Sequence, residues 1–372
     1  MLQNKIFLNF SLEIIKIFLT VLFGLSMIAL TVRAVNFLDL IVDNGYSIIA
    51  YFQYSLLNLL GISIKFIPFS FLISLSIFIL KHQQDNEFII LWTSGVKKLS
   101  LTKIFITLSF LVSCFYLIFS TFLTPLALNK SRNLLNNDNF NSFLPTIKSQ
   151  KFNDSFKGFT FFVEQKKENQ IANIFIHDSG NNLKNLSPNT KVDYDNTILA
   201  KSGVVKNKKL LLFNGKIISV KENAETEIIN FEQIILGLEN LNTAVIKKPK
   251  IQETSTFALI KCFVSKKNNN FCNKNFKKEI ISTLNRRIII PFYIPLLALI
   301  CSLALIKTKK IYYNKYFIFF YGFIILVFTE LAVRYTGLNS IMLYIFVLLP
   351  FLLISFIYFF LIHKFSTELK NE

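Results

Sequence analysis

The 372-residue chain has no G-x-x-x-x-G-K-[ST] phosphate loop, no G-x-S-x-G elbow and no C-x-x-C pair, and it carries only three histidines. These absences exclude a P-loop nucleotide hydrolase, a hydrolase with an elbow nucleophile, and the common zinc centres. No catalytic residue, metal site or cofactor is therefore expected, and the chain is not expected to be an enzyme. Charge is also scarce: 17% of residues are charged against 52% hydrophobic, and the mean hydropathy is +0.48. That balance is too apolar for a soluble globule of ordinary composition and makes membrane residence the default.

Cysteines are few. Cys114 and Cys301 fall inside apolar runs, where they act as small hydrophobes. Only Cys262 and Cys272 are placed where a disulfide could form. The net charge of +19 comes from 41 Lys+Arg against 22 Asp+Glu. No Arg-rich arm or aromatic-interleaved stripe gathers those charges, so nucleic acid is not an expected partner. They are better used to read topology, since Lys and Arg near helix ends set the side on which a short loop lies.

About 20 apolar residues cross the ~30 Å hydrocarbon core as a helix. Six segments approach that criterion. The first is free of charge over 17–32 and extends back through Leu12 and past Arg33. Glu13 interrupts its early part and no cleavage site follows promptly, so it is read as a retained helix rather than a signal peptide. The second runs over about 54–80 with Lys65 inside it and a kink expected at Pro68; its start is open. The others are 104–129, 288–306, a fifth from near Tyr316, and a sixth within 335–362.

Short connections on one side hold Lys5, Lys81, Lys97, Lys98, Lys103, Lys307, Lys309, Lys310, Lys315, Lys364 and Lys370; the other side holds Arg33 and Arg334. Eleven against two predicts both termini in the cytoplasm and the interval 130–285 outside it. That interval reads as all-β. Strands are expected over 158–164, 171–178, 197–205, 210–220 with Asn214-Gly215 inside, and 227–238, a spacing that suits a small sandwich or jelly roll. Residues 257–276 read as a helical or irregular connector.

One cytoplasmic connection has a pattern of its own: Asp85-Asn86-Glu87-Phe88-Ile89-Ile90-Leu91-Trp92-Thr93-Ser94-Gly95. Asp85 suits an N-cap, Glu87 a first turn, and Gly95 the C′ position. Phe88, Leu91 and Trp92 recur at i, i+3, i+4 and predict a short amphipathic helix. Such a helix can lie on lipid with its single Trp as anchor, or dock on a partner.

This segment resembles the LptF/LptG signature, in which an acid, an apolar helix and a Gly-containing ending form the helix that docks on the LptB ATPase. Glu87 stands at the coupling acid, and Trp92 and Lys97 or Lys98 depart from the family's usual residues. Phe159-Thr160-Phe161-Phe162-Val163-Glu164 and Ile174-Phe175-Ile176-His177-Asp178 are similar to paired strands of the family's periplasmic jellyroll, and Leu284-Asn285-Arg286-Arg287 to its entry into helix four. The segment 39–45 and the Ile-His-Asp ending look more like LptF than LptG. The resemblance implies a polytopic inner-membrane protein with three regions. Residues 1–129 hold helices one to three with the coupling helix at about 85–95, residues 130–285 the periplasmic jellyroll-like domain and connector, and residues 286–372 helices four to six.

The activity so implied is lipopolysaccharide export as one permease half of an ABC exporter. Its implied partners are an LptB-like ATPase dimer, an LptG-like paralogue, LptC-like and LptA-like bridge proteins, lipopolysaccharide and membrane lipid. The competing expectations are a non-transporting membrane scaffold and a gradient-driven carrier, the latter disfavoured by the lack of an inverted repeat.

Three charged features inside the spans complete the candidate set. Arg33 is either a snorkelling side chain or, as the resemblance implies, part of a basic ring facing lipid A phosphates. Lys65 is either an ionisable group at depth, hence a lipid-binding candidate, or an interfacial anchor, depending on where helix two begins. Glu330 and Arg334 have the i, i+4 spacing of a structural ion pair.

Overall fold

Hydrocarbon offers no partner to a free backbone amide, so apolar stretches of this length close their hydrogen bonds internally as helices. The computed structural model describes residues 2–38, 41, 48–138, 149–156, 158–167, 170–179, 195–206, 209–220, 226–237, 250–264, 274–306 and 315–371. Within them six helices are long and apolar enough to cross a membrane, and a six-stranded antiparallel sheet is inserted between the third and fourth. The chain divides into two compact units. One comprises 1–32, 57–129 and 250–372, and the other 33–56 and 130–249.

In the helical unit, α1 (Leu2–Phe37) and α2 (Ile48–Gln84) are followed by the short α3 (Glu87–Thr93). The third span is α4 (Lys98–Ile118), a π-helical turn over Phe119–Leu123, and α5 (Thr124–Asp138). The connector forms α6 (Thr256–Val264); α7 (Lys274–Ile288), a 3₁₀ turn over Ile290–Phe292 and α8 (Tyr293–Ser302) make the fourth span. Helices α9 (Lys315–Tyr335) and α10 (Ser340–Asn371) complete the bundle. α2 stays helical through Pro68 and, at 37 residues, is about 55 Å long, far more than a bilayer needs.

Every residue of α8 is buried, and α4, α9 and α10 pack around it. Helix pairs in a membrane have no hydrophobic drive towards each other, so contact depends on small residues and hydrogen bonds. Ser113 donates to the Pro291 carbonyl at 2.9 Å, Ser120 to that of Arg287 at 3.0 Å and Tyr116 to that of Arg286 at 3.1 Å, so α4 and its π turn run down the fourth span. Gly322 of α9 lies against Leu72 of α2, where a Cβ would sit 2.7 Å from Cδ1.

Arg287 fixes the chain's return into the bundle. Its buried guanidinium donates to the carbonyls of Gln252 at 2.9 Å and Thr254 at 3.0 Å and to the Thr256 hydroxyl at 2.9 Å. Thr256 in turn donates to the Thr121 carbonyl on the π turn at 2.9 Å. Cys262 on α6 is disulfide-bonded, whereas Cys114 and Cys301 are free thiols. The partner expected for it, Cys272, lies outside the described residues.

The sheet runs in the order β1 (Phe152–Phe156), β2 (Phe159–Lys167), β3 (Gln170–Asp178), β4 (Asp195–Lys206), β5 (Lys209–Val220) and β6 (Thr226–Gly237). Five of these are the expected strands within two or three residues; β1 is additional. The expected inserted all-β domain is therefore present, and among the described residues it is a single meander with no Greek-key crossover.

A row of residues crosses this sheet. Glu164, Asn173, Lys201, Asn214 and Glu232 lie opposite one another in successive strands and drop out of the regular pairing. All five are exposed, and Asn173 and Asn214 adopt φ of 52° and 50°, a left-handed conformation that asparagine tolerates. Across the row the buried positions change phase, from Ile171 to Ile174 in β3, from Ala200 to Gly203 in β4 and from Leu212 to Ile217 in β5. One out-of-phase residue per strand, in the same row, changes which positions are buried without shifting the register. Side chains from both halves, including Ile171, Ile174, Leu212 and Ile217, thereby join one apolar cluster.

Candidate functional site

The structure gives the connection after α2 the short helix that the sequence predicts, with a different start. Asn86, at φ 58°, is the N-cap where Asp85 was expected, and its side chain makes no capping bond. Its end matches the expectation for Gly95, whose φ is 88°. The Gly95 amide donates to the Trp92 carbonyl and the Val96 amide to the Leu91 carbonyl, both at 3.1 Å. This paired arrangement closes a helix on a left-handed glycine.

The apolar face points inward. Phe88 and Leu91 are buried in the core of the helical unit, and Trp92, half-buried, stacks on Phe88 with ring centroids 5.9 Å apart. These three were expected to be the surface offered to lipid or a partner; the helix spends them on its own bundle. What it leaves outward is Ile89 and Ile90, 59% and 66% exposed, with Thr93 and Ser94 beside them. A three-residue apolar stripe read from sequence cannot say which of two apolar faces is already covered.

Glu87 is not wholly free. Its Oε2 bonds His82 Nδ1, and its side chain stays 45% exposed. His82 Nε2 lies 3.1 Å from Glu13 Oε2, and Glu13 Oε1 accepts from Lys81 Nζ at 2.7 Å. The His82 side chain is 4% exposed, and its ring sits among Phe10 of α1, Phe78 of α2 and Phe88 of α3, with centroids 5.0, 4.2 and 5.7 Å away. The sequence reading missed both His82 and Glu13. A carboxylate at residue 13 of an otherwise apolar helix was the available signal, because an ionisable group in such a position has to find a partner. Two further bonds tie the same end of the bundle: Lys98 Nζ to Glu368 Oε2 at 2.5 Å, and Gln83 Nε2 to the Ala304 carbonyl at 3.0 Å.

Arg33 is exposed near the end of α1, twenty positions beyond Glu13, which is about 30 Å of helix. Lys65 is exposed on α2, sixteen positions before Lys81, about 24 Å of helix. The start of α2 at Ile48 puts Lys65 seventeen positions into that helix rather than near its beginning. Glu330 does not pair with Arg334. It takes Arg286 of α7 instead, and Arg334 makes no ion pair among the described residues. The i, i+4 rule describes an isolated helix surface; here a cation on a neighbouring helix competes for the same carboxylate.

Six spans, an inserted antiparallel domain and a short helix pinned at one end of the bundle define a multi-pass helical membrane protein. The family model described as lipopolysaccharide export system permease LptF/LptG matches residues 12–364, and the chain belongs to that family. It is also similar to a protein named as uncharacterized protein RP871 of Rickettsia prowazekii (strain Madrid E), 23% identical over 320 residues, which is 83% of this chain and 84% of that one.

Proposed function

We propose that the chain is one permease half of an ATP-driven exporter that draws lipopolysaccharide out of the bacterial inner membrane and passes it to a periplasmic bridge. The observation that carries this reading is α3, an outward Ile89-Ile90 face flanked by the half-exposed Glu87 at a lysine-rich end of a family-assigned permease. An LptB-like ATPase dimer supplies the hydrolysis that this chain has no motif for, and an LptG-like paralogue, with LptC-like and LptA-like proteins, completes the route. Ile176-His177-Asp178 at the end of β3 favours the LptF side of the pair; the segment 39–45, apart from Ile41, lies outside the described residues.

The orientation has two independent supports. Eleven lysines in the short connections of one side favour cytoplasmic termini, and the disulfide at Cys262, on the connector that follows the sheet, favours an oxidising periplasm for the inserted domain. Arg33 and Lys65, exposed towards the far ends of their spans, are then the cations that meet lipid phosphates; a guanidinium binds a phosphate through paired charge-assisted bonds.

Co-expression with the paralogue and the ATPase tests the reading. The tagged chain, purified in mild detergent, is expected to retain the ATPase in fixed proportion. Recovery of folded chain with the periplasmic partners and without ATPase would instead identify the scaffold.

A further inference from the structure

Among the cavities, patches and polar clusters of the molecule, the contact set around His82 is one that the docking role leaves unused. Three successive elements meet there: α1 through Glu13, α2 through Lys81 and His82, and α3 through Glu87. A histidine buried in an aromatic box and bonded on both ring nitrogens costs free energy to desolvate and is rarely kept for packing alone. One ring nitrogen faces Glu87 of α3 and the other Glu13 of α1, so a single side chain of α2 ties carboxylates on two other helices.

We propose that His82 is a positioning residue that transmits displacement of the docking helix α3 to α1, the helix that carries Arg33. The proposal rests on the docking role assigned to α3 above. Motion delivered to α3 through its exposed face has two routes into the bundle. One is the apolar contact of Phe88 and Leu91, which tolerates sliding; the other is Glu87, His82 and Glu13, a directional chain of bonds that does not. α2 carries the middle member of that chain, since His82 and Lys81 both belong to it. Loss of the bridge leaves α3 docked and α1 unmoved.

The test uses the complete complex in proteoliposomes and reads three quantities: ATPase retained, ATP hydrolysed, and lipopolysaccharide released per ATP. His82→Leu is expected to keep the ATPase at the wild-type level and to lower lipid released per ATP at least tenfold. Glu13→Ala, which removes the α1 anchor and leaves the His82–Glu87 contact in place, is expected to do the same and covers the case in which His82→Leu does not fold. Glu13→Gln, which keeps a bonding oxygen, should restore most of the yield. Wild-type lipid per ATP in a folded Glu13→Ala or His82→Leu complex overturns the proposal. A wild-type chain that retains no ATPase overturns the docking role instead, so the two failures are distinguishable.

Discussion

Arg287→Met is expected to lower the stability of the helical unit by about 3 kcal/mol and to expose residues 250–264 to protease. The guanidinium is buried and supplies donors to the Gln252 and Thr254 carbonyls and to the Thr256 hydroxyl. Methionine fills much of the volume but donates nothing, and each buried acceptor left without a partner costs ~1–3 kcal/mol, offset in part by no longer burying a charge. Arg287→Lys should recover less than half of the loss, because an ammonium cannot span three acceptors arranged for a planar fork. Thermal unfolding in detergent, read together with proteolysis of the connector, measures both effects. A melting temperature equal to wild type for Arg287→Met would show that the connector is held by other contacts.

The second large effect separates the two faces of α3. Leu91→Asp places a carboxylate in the core beside Phe88, and the lost apolar burial together with the cost of a buried polar group amounts to at least ~3 kcal/mol. The chain is expected to be poorly recovered from the membrane. Ile90→Asp, one residue earlier, changes a side chain that is 66% exposed and should alter stability by no more than ~0.5 kcal/mol. Its expected effect is on assembly: at least tenfold less ATPase retained by a chain that is otherwise normally folded. Recovery of both variants at wild-type yield, with docking lost only for Leu91→Asp, would reverse the assignment of the faces.

The architecture was legible because its signals are long. A run of about 20 apolar residues has few alternatives, and alternating strands repeat often enough to outweigh local exceptions. β1 was missed because Phe152-Asn153-Asp154-Ser155-Phe156 lacks alternation and pairs with a shift between Asn153 and Phe156. The change of burial phase across the sheet was missed for the opposite reason. Asn214-Gly215 is a turn dipeptide, yet its effect depends on Asn173 standing two strands away in the same row, and no local window contains both.

The candidate site follows the same division. The helix of 87–93 and its glycine stop were readable from residue type. The partners of Glu87 and Glu330, His82 and Arg286, lie on other elements, and Glu13 is a further 69 positions from His82. Side chains that pair across helices leave no periodic trace; only the anomaly of a charge in an apolar span marks them. For that reason the inward turn of Phe88 and Leu91 could not be foreseen from the stripe itself.

The central claim, that this chain moves lipopolysaccharide at the expense of ATP hydrolysed by a partner, is tested most directly by crosslinking during turnover. A photoreactive residue at Asn36, an exposed position three residues beyond Arg33 on α1, reports lipid at the entry in proteoliposomes that contain the paralogue, the ATPase and lipopolysaccharide. A strong lipid adduct is expected before ATP, with a several-fold loss of it within turnover and a weak adduct from the start in Arg33→Glu. An adduct that ATP leaves unchanged, in a complex that holds its ATPase and hydrolyses ATP, would contradict that claim.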